Sequence, residues 1–138
     1  MLKFEVKKLY KIYGKNPDTA LKLLEKGAKK EEILDKTKHV IGLDNVNLSI
    51  SDGEIFVVMG LSGSGKSTQI RCLNRLIEPT SGSILIDQED ITEMSRDQLL
   101  QIRRKKLGMV FQRFALFPHL TVLENAEYGP LPMTRIYY

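Results

Sequence analysis

Residues 60–68 read Gly60-Leu61-Ser62-Gly63-Ser64-Gly65-Lys66-Ser67-Thr68 and satisfy G-x-x-x-x-G-K-S/T at every fixed position. Upstream, residues 54–59 carry Ile55-Phe56-Val57-Val58-Met59, a continuous apolar run that predicts a strand buried on both faces, as in a parallel sheet under helices. Downstream, residues 66–77 predict a helix, so the loop joins strand to helix as phosphate binding requires. Gly60, Gly63 and Gly65 are expected to take left-handed conformations and to let the backbone approach a ligand with no Cβ between. The loop amides would turn inward as an anion nest, and the helix start adds its own unpaired N–H groups and positive dipole end. Lys66 is placed for the β- and γ-phosphates, Ser67 for Mg²⁺, and Thr68 for the α-phosphate side. The reading is a nucleoside triphosphate held with Mg²⁺. The plain alternative, a Gly/Ser turn followed by chance by a lysine, has to explain the fixed positions and both flanks at once.

Working toward the N-terminus, residues 43–50 predict a strand with Leu43, Val46, Leu48 and Ile50 as its apolar members, closed by a turn at Ser51-Asp52-Gly53. Residues 2–10 alternate enough for a strand with one buried face. Between these strands, Asn16 as N-cap, Pro17 at the first helical position and Gly27 as terminator bracket a helix. Its Ala20, Leu21, Leu24 and Ala28 fall on one stripe. A second short helix, from Lys30 to about Thr37, brings Ile33 and Leu34 as apolar contacts. The two form a helical hairpin inserted between strands.

Working toward the C-terminus, Ser83-Ile84-Leu85-Ile86-Asp87 predicts a short strand. Ser95 with Gln98 is a capping box opening a helix that ends in Arg103-Arg104-Lys105-Lys106, a basic end that suits the helix dipole. Residues 107–111 are a second buried-strand candidate, followed by Gln112. Thr121 with Glu124 is another capping box.

The chain has 138 residues, 42% hydrophobic and 28% charged, which fits one globular domain and excludes disordered and fibrous classes. No apolar run approaches the roughly 20 residues needed to cross a bilayer, and the first residues lack a signal-peptide core. A single cysteine, Cys72, excludes an internal disulfide framework and fits a reducing cytosol. The net charge of +4 is uneven, with 11 Lys/Arg against 6 Asp/Glu in residues 1–40 and 10 against 11 thereafter. Acidic residues interleave the N-terminal lysines and no aromatic–basic platform accompanies them, so the reading is a solvated helical face and no nucleic acid. His39 and His119 read as surface or loop histidines.

A phosphate cradle alone leaves kinase, GTPase and ATPase open, although no guanine-reading Asn-Lys-x-Asp follows it. The order of motifs decides. The chain resembles the ATP-binding subunit of ABC transporters, above all the importers of quaternary-amine osmoprotectants such as glycine betaine, proline betaine or choline. The resemblance rests on residues 53–68, on Leu73-Asn74-Arg75-Leu76-Ile77-Glu78-Pro79-Thr80-Ser81-Gly82, and on the insert at residues 16–38. It implies an α/β fold of the P-loop NTPase type: an incomplete ABC ATPase core with an antiparallel β edge and the inserted helical hairpin. Residues 1–129 would be the N-terminal part of the ATP-binding domain, and residues 130–138 an off-pattern tail.

The resemblance also implies roles. Tyr13 matches the aromatic that stacks on adenine, with Tyr10 the competing tyrosine. Gln112 matches the glutamine that reaches Mg²⁺ and the attacking water, a catalytic role shared with Lys66. Residues 114–121, Phe114-Ala115-Leu116-Phe117-Pro118-His119-Leu120-Thr121, match the surface that docks on a membrane-spanning permease subunit. A second ATP-binding subunit would complete the active assembly, on the cytoplasmic face of the cell membrane. Gln88 departs from the pattern where a turn glycine usually follows the aspartate. The signature loop, the Asp-Glu strand and the switch histidine of the family have no counterpart in the 138 residues. The expectation is weak ATP·Mg binding, negligible turnover and marginal stability for this chain alone. Two other readings stand beside this one: a stand-alone P-loop kinase or GTPase, and a module that docks a membrane partner without hydrolysis.

Overall fold

The strand predicted over residues 2–10 continues to Tyr13, as β1 (Leu2–Tyr13) in a computed structural model that describes residues 1–110 and 116–127. Its buried residues are Val6, Leu9 and Ile12, three apart where a regular strand would space them by two. Bulges reconcile the spacings: the pairing slips between Val6 and Leu9 and again before Ile12. Lys8, with φ +47°, sits in the first slip. The Asn47 side-chain oxygen accepts the Lys8 N–H at 2.8 Å, so the displaced amide keeps a partner.

β1 pairs antiparallel with β2 (Val40–Ser51) on one side and with β3 (Ser81–Ile86) on the other, and β3 pairs with the short β4 (Glu89–Asp90), giving the order β2-β1-β3-β4. The helical insert lies between β1 and β2 as α1 (Asp18–Glu25) and α2 (Lys30–Thr37). α1 starts one residue later than its sequence signals. Asn16 takes a left-handed φ of +53° and makes the turn, and Pro17 occupies the capping position without a side-chain bond. Asn tolerates that region better than most residues, so the turn claims it before the cap does. Ala20 and Ile33 close the hairpin against Ile12, whereas Leu34 faces solvent.

α3 (Lys66–Leu73) lays Cys72 on the main core with Val6, Leu9, Leu43, Ile84, Ile86 and Ile91, joined by Leu99 and Ile102 of α4 (Arg96–Lys105). Each buried leucine or isoleucine contributes roughly 1.5–3 kcal/mol, so this cluster is the main source of stability. The capping box of α4 is present, with the Ser95 N–H donating to Gln98 Oε1 at 2.9 Å and the Gln98 N–H to Ser95 Oγ at 3.4 Å. α3 stops short of the predicted residue 77. Arg75 turns left-handed at φ +52°, and its guanidinium donates to the Ile91 and Met94 carbonyls and to Glu78. Arg103 donates to the Asn74 and Arg75 carbonyls at 3.0 and 2.8 Å. The basic end of α4 thus clamps the exit of α3, a task beyond complementing its own dipole.

The two buried strands predicted from apolar runs are absent among the described residues. Residues 54–59 form no strand, and Ile55 and Met59 are 90% and 87% exposed. Residues 107–110 form none either, with Val110 98% exposed, and Phe111 lies outside the described residues. The physical reason is shared: no described strand pairs with either segment in the β2-β1-β3-β4 sheet, so neither joins that ladder, although Leu107 still packs against the main core.

The chain divides into two units, Met1–Leu107 and Gly108–Tyr138. In the second, α5 (Val122–Glu127) starts at the predicted box, with Thr121 N–H donating to Glu124 Oε2 at 2.7 Å and Glu124 N–H to Thr121 Oγ1 at 3.3 Å. The Thr121 N–H and the Thr121 hydroxyl, the latter at 2.8 Å, both donate to Glu124 Oε2 and hold its carboxyl below the usual carboxylate range. Residues 130–138, read as an off-pattern tail, lie outside the described residues. Among the described residues no helix is long and apolar enough to cross a membrane.

Candidate functional site

A cavity of about 320 Å³ opens where β1, β2 and the start of α3 meet. Ser62, Gly63, Ser64, Gly65, Lys66, Ser67 and Thr68 line one side; Tyr13, Val40, Ile41 and Gly42 line the other. The volume falls at the lower end of the range for small-molecule sites.

The loop side follows from local chemistry. Gly63 and Gly65 are left-handed at φ +80° and +92°, as the sequence predicts, but Gly60 is not. At Gly60 the demand is one of space instead, and a softer one: a Cβ there would stand 2.7 Å from Ser64 Oγ, the end of a side chain that can rotate away. Gly65 meets both demands, since a Cβ would also come 2.5 Å from the Gly42 carbonyl oxygen of β2. That approach seats the start of α3 against the sheet. The first four amides of α3 have no partner inside the helix, so they and the dipole present positive potential to the cavity. Lys66 Nζ donates to the Gly60 and Leu61 carbonyls, both at 2.6 Å, and to Ser64 Oγ at 3.2 Å. Gly60 and Leu61 therefore contribute through Lys66 and do not line the cavity. Ser67 presents an exposed hydroxyl on the first turn.

The far side is organised by Tyr13. Its hydroxyl lies 3.3 Å from Thr68 Oγ1, linking the end of β1 to α3, and Lys11 Nζ stands 5.1 Å from its ring centre. The Tyr13 ring edge packs where Gly42 would carry a Cβ, 2.8 Å from that position. Tyr10, the competing tyrosine, instead pairs with Ser81 of β3 and is not among the lining residues. Thr68, expected only on the phosphate side, thus also touches the aromatic.

Val40, Ile41 and Gly42 were not anticipated as site residues. A signal was present for one of them: an isolated glycine inside a strand pattern marks a close approach of another backbone. His39 also departs from expectation. It is 8% exposed, with its ring packed against Gly14 and Nε2 2.7 Å from the Lys15 carbonyl oxygen. Cys72 is fully buried on α3, and burial pushes its thiol pKa up, which suits a packing role.

Gln112 lies outside the described residues, as do Phe114 and Ala115 of the expected docking segment. The rest of that segment is described in the second unit. There Leu116, Phe117, Pro118, Leu120, Val122, Asn125 and Ala126 line a mainly apolar groove of about 390 Å³. Asn125 holds its rim, its side-chain oxygen accepting the Phe117 N–H at 2.7 Å and its amide donating to Phe117, Leu120 and Thr121 carbonyls. Among the described residues no group of three or more His, Cys, Asp or Glu side chains gathers to hold a metal.

Comparison with known proteins agrees with this geometry. The family model described as ABC transporter matches residues 43–136. The glycine betaine/proline betaine transport system ATP-binding protein ProV of Salmonella typhimurium is 58% identical over 128 residues, covering 93% of this chain and 32% of the relative. The glycine betaine transport ATP-binding protein OpuAA of Bacillus subtilis is 57% identical, covering 93% and 31%. The chain therefore spans about a third of the length of these curated relatives. A dimeric ATP-binding cassette solved in a post-hydrolysis state with ADP and phosphate superposes with a TM-score of 0.71 at 36% identity, over 91% of this chain and 46% of that one. The fold is thus that of an ABC ATPase cassette, and the chain belongs to the ABC transporter family.

Proposed function

We propose that residues 60–68 and Tyr13 hold ATP with Mg²⁺, as part of an ABC ATP-binding subunit that couples ATP hydrolysis to the uptake of glycine betaine-type osmoprotectants. The observation that carries this reading is that one cavity is lined both by the loop residues Ser62 to Thr68 and by Tyr13. Lys66 serves the β- and γ-phosphates, exchanging its bonds to the Gly60 and Leu61 carbonyls for phosphate oxygens. Thr68 lies toward the α-phosphate, and Tyr13 stacks on adenine. Ser67 supplies one hydroxyl to Mg²⁺, a donor set that fits this ion, since it commonly takes one or two protein oxygens and completes its shell from substrate phosphates and water. The further role of Gln112 toward Mg²⁺ and the attacking water rests on the resemblance of its segment to the family.

The partners in this reading are a membrane-spanning permease subunit, met through residues 114–121, and a second ATP-binding subunit. The apolar groove lined by Leu116, Phe117 and Pro118 supports the first, because an apolar hollow on a surface is a common docking feature. The protein then works on the cytoplasmic side, peripheral to the membrane. The names of the relatives support the substrate class.

Binding of ATP·Mg and GTP·Mg to the 138-residue chain, followed by calorimetry, tests the core of the proposal. ATP is expected to bind more tightly than GTP. Lys66→Ala removes a charge-assisted contact of about 1.5–3 kcal/mol, so ATP affinity should fall at least about tenfold. Unchanged affinity in Lys66→Ala would sink the reading.

A further inference from the structure

We infer that His39 is a positioning residue for the nucleotide base, acting through the turn that follows Tyr13; the inference rests on the ATP reading of the cavity. The insert returns to the sheet at His39, one residue before Val40, which pairs with Tyr13 across the β1–β2 ladder. From there the imidazole reaches under the chain that leaves Tyr13. Its Nε2–H donates to the Lys15 carbonyl oxygen at 2.7 Å, because a carbonyl only accepts. Its ring fills the space a side chain at Gly14 would need, and Gly14 at φ +142° adopts a conformation open mainly to glycine.

One buried ring therefore ties both residues after Tyr13 and fixes where β1 ends. The other ring nitrogen, Nδ1, is buried and has no hydrogen-bond partner among the described residues. Such an uncompensated group costs stability, and a leucine would fill a core position without that cost. The bond to Lys15 is what the imidazole supplies and an apolar residue could not. With the turn pinned, the Tyr13 ring keeps one orientation over Gly42 and Thr68, and an incoming base need not order it. Preorganisation of that kind appears as affinity for the base alone, not for the phosphates.

The test uses the 138-residue chain and two probes, ATP·Mg and inorganic tripolyphosphate·Mg. His39→Ala should weaken ATP by about tenfold and leave tripolyphosphate unchanged. His39→Gln, whose amide can donate to the Lys15 carbonyl, should recover most of the ATP affinity. In a Tyr13→Ala background, His39→Ala should add nothing, the signature of two residues acting as one unit. The inference is overturned if His39→Ala leaves ATP affinity intact, if both probes weaken together as a generally disordered loop would cause, or if the loss persists without Tyr13. If Tyr13→Ala alone costs no ATP affinity, the adenine-stacking reading itself fails, a result distinct from the others, and the role of His39 falls with it.

Discussion

On the β2–α3 side of residues 60–65 the molecule is closed; on the side of residues 54–59 it is open. The closed flank has Gly65 seated on the Gly42 carbonyl, Leu43 and Cys72 in one core, and the exit of α3 clamped by Arg103. The open flank is at least as apolar, yet Ile55, Val57 and Met59 are exposed. Hydrophobic composition therefore does not decide which flank is built. The difference is the presence of a partner. β1 and β2 pair antiparallel across the helical insert that joins them, so each supplies the other's ladder. A parallel neighbour for residues 54–59 has to arrive through a crossover of a dozen or more residues, and none of the described residues provides it.

The sharpest way to break this comparison is to cut each flank in turn and follow urea unfolding. Ile84→Ala, in the closed core, should cost about 2–5 kcal/mol. Val57→Ser on the open flank should stay within about 0.5 kcal/mol, as surface substitutions do, and should lower self-association in sedimentation. Equal losses at the two positions would mean that the open flank is packed in solution.

Gly65→Ala probes the joint between the flanks. It meets both a left-handed φ and the Gly42 carbonyl, so a loss of about 1–3 kcal/mol is expected, together with weaker ATP binding from a displaced start of α3. A variant with parent stability and affinity would show that α3 does not depend on this seat.

The smallest expected effect is a gain. The two-residue link between β3 and β4 holds Asp87 at φ +51° and Gln88 at +69°, a turn of the type that favours glycine second. Gln88→Gly should therefore stabilise by about 0.5–1 kcal/mol, read as a higher urea midpoint. Asp87 is worth keeping in that variant, since Lys3 and Lys106 lie 2.8 and 3.0 Å from its carboxylate and hold its pKa below the usual carboxylate range.

What the sequence disclosed follows the same line. Residues 60–68, the caps at Ser95 and Thr121, and the insert were legible because each is written in neighbouring residues: a glycine spacing, a hydroxyl three before a side-chain acceptor, a helical stripe between punctuating glycines. The span of α2 agrees with its prediction from Lys30 to Thr37. Features that depend on distant segments were not legible. Residues 54–59 read as a strand because their apolarity reports a preference and says nothing of a neighbour. The bulge at Lys8 was hidden because its amide is satisfied by Asn47, 39 residues away. His39 read as a surface residue since its partners Gly14 and Lys15 lie across the insert. The lining of the cavity by Val40, Ile41 and Gly42 was foreshadowed only by the glycine.

Cys72 gives this architecture a built-in reporter. It is the only thiol in the chain and is fully shielded beneath α3, so an alkylating reagent can reach it only when that helix lifts from the sheet. The rate of labelling thus times the opening of the segment that carries Lys66, Ser67 and Thr68, without any added probe. A ligand that grips the start of α3 should slow that clock in proportion to its occupancy.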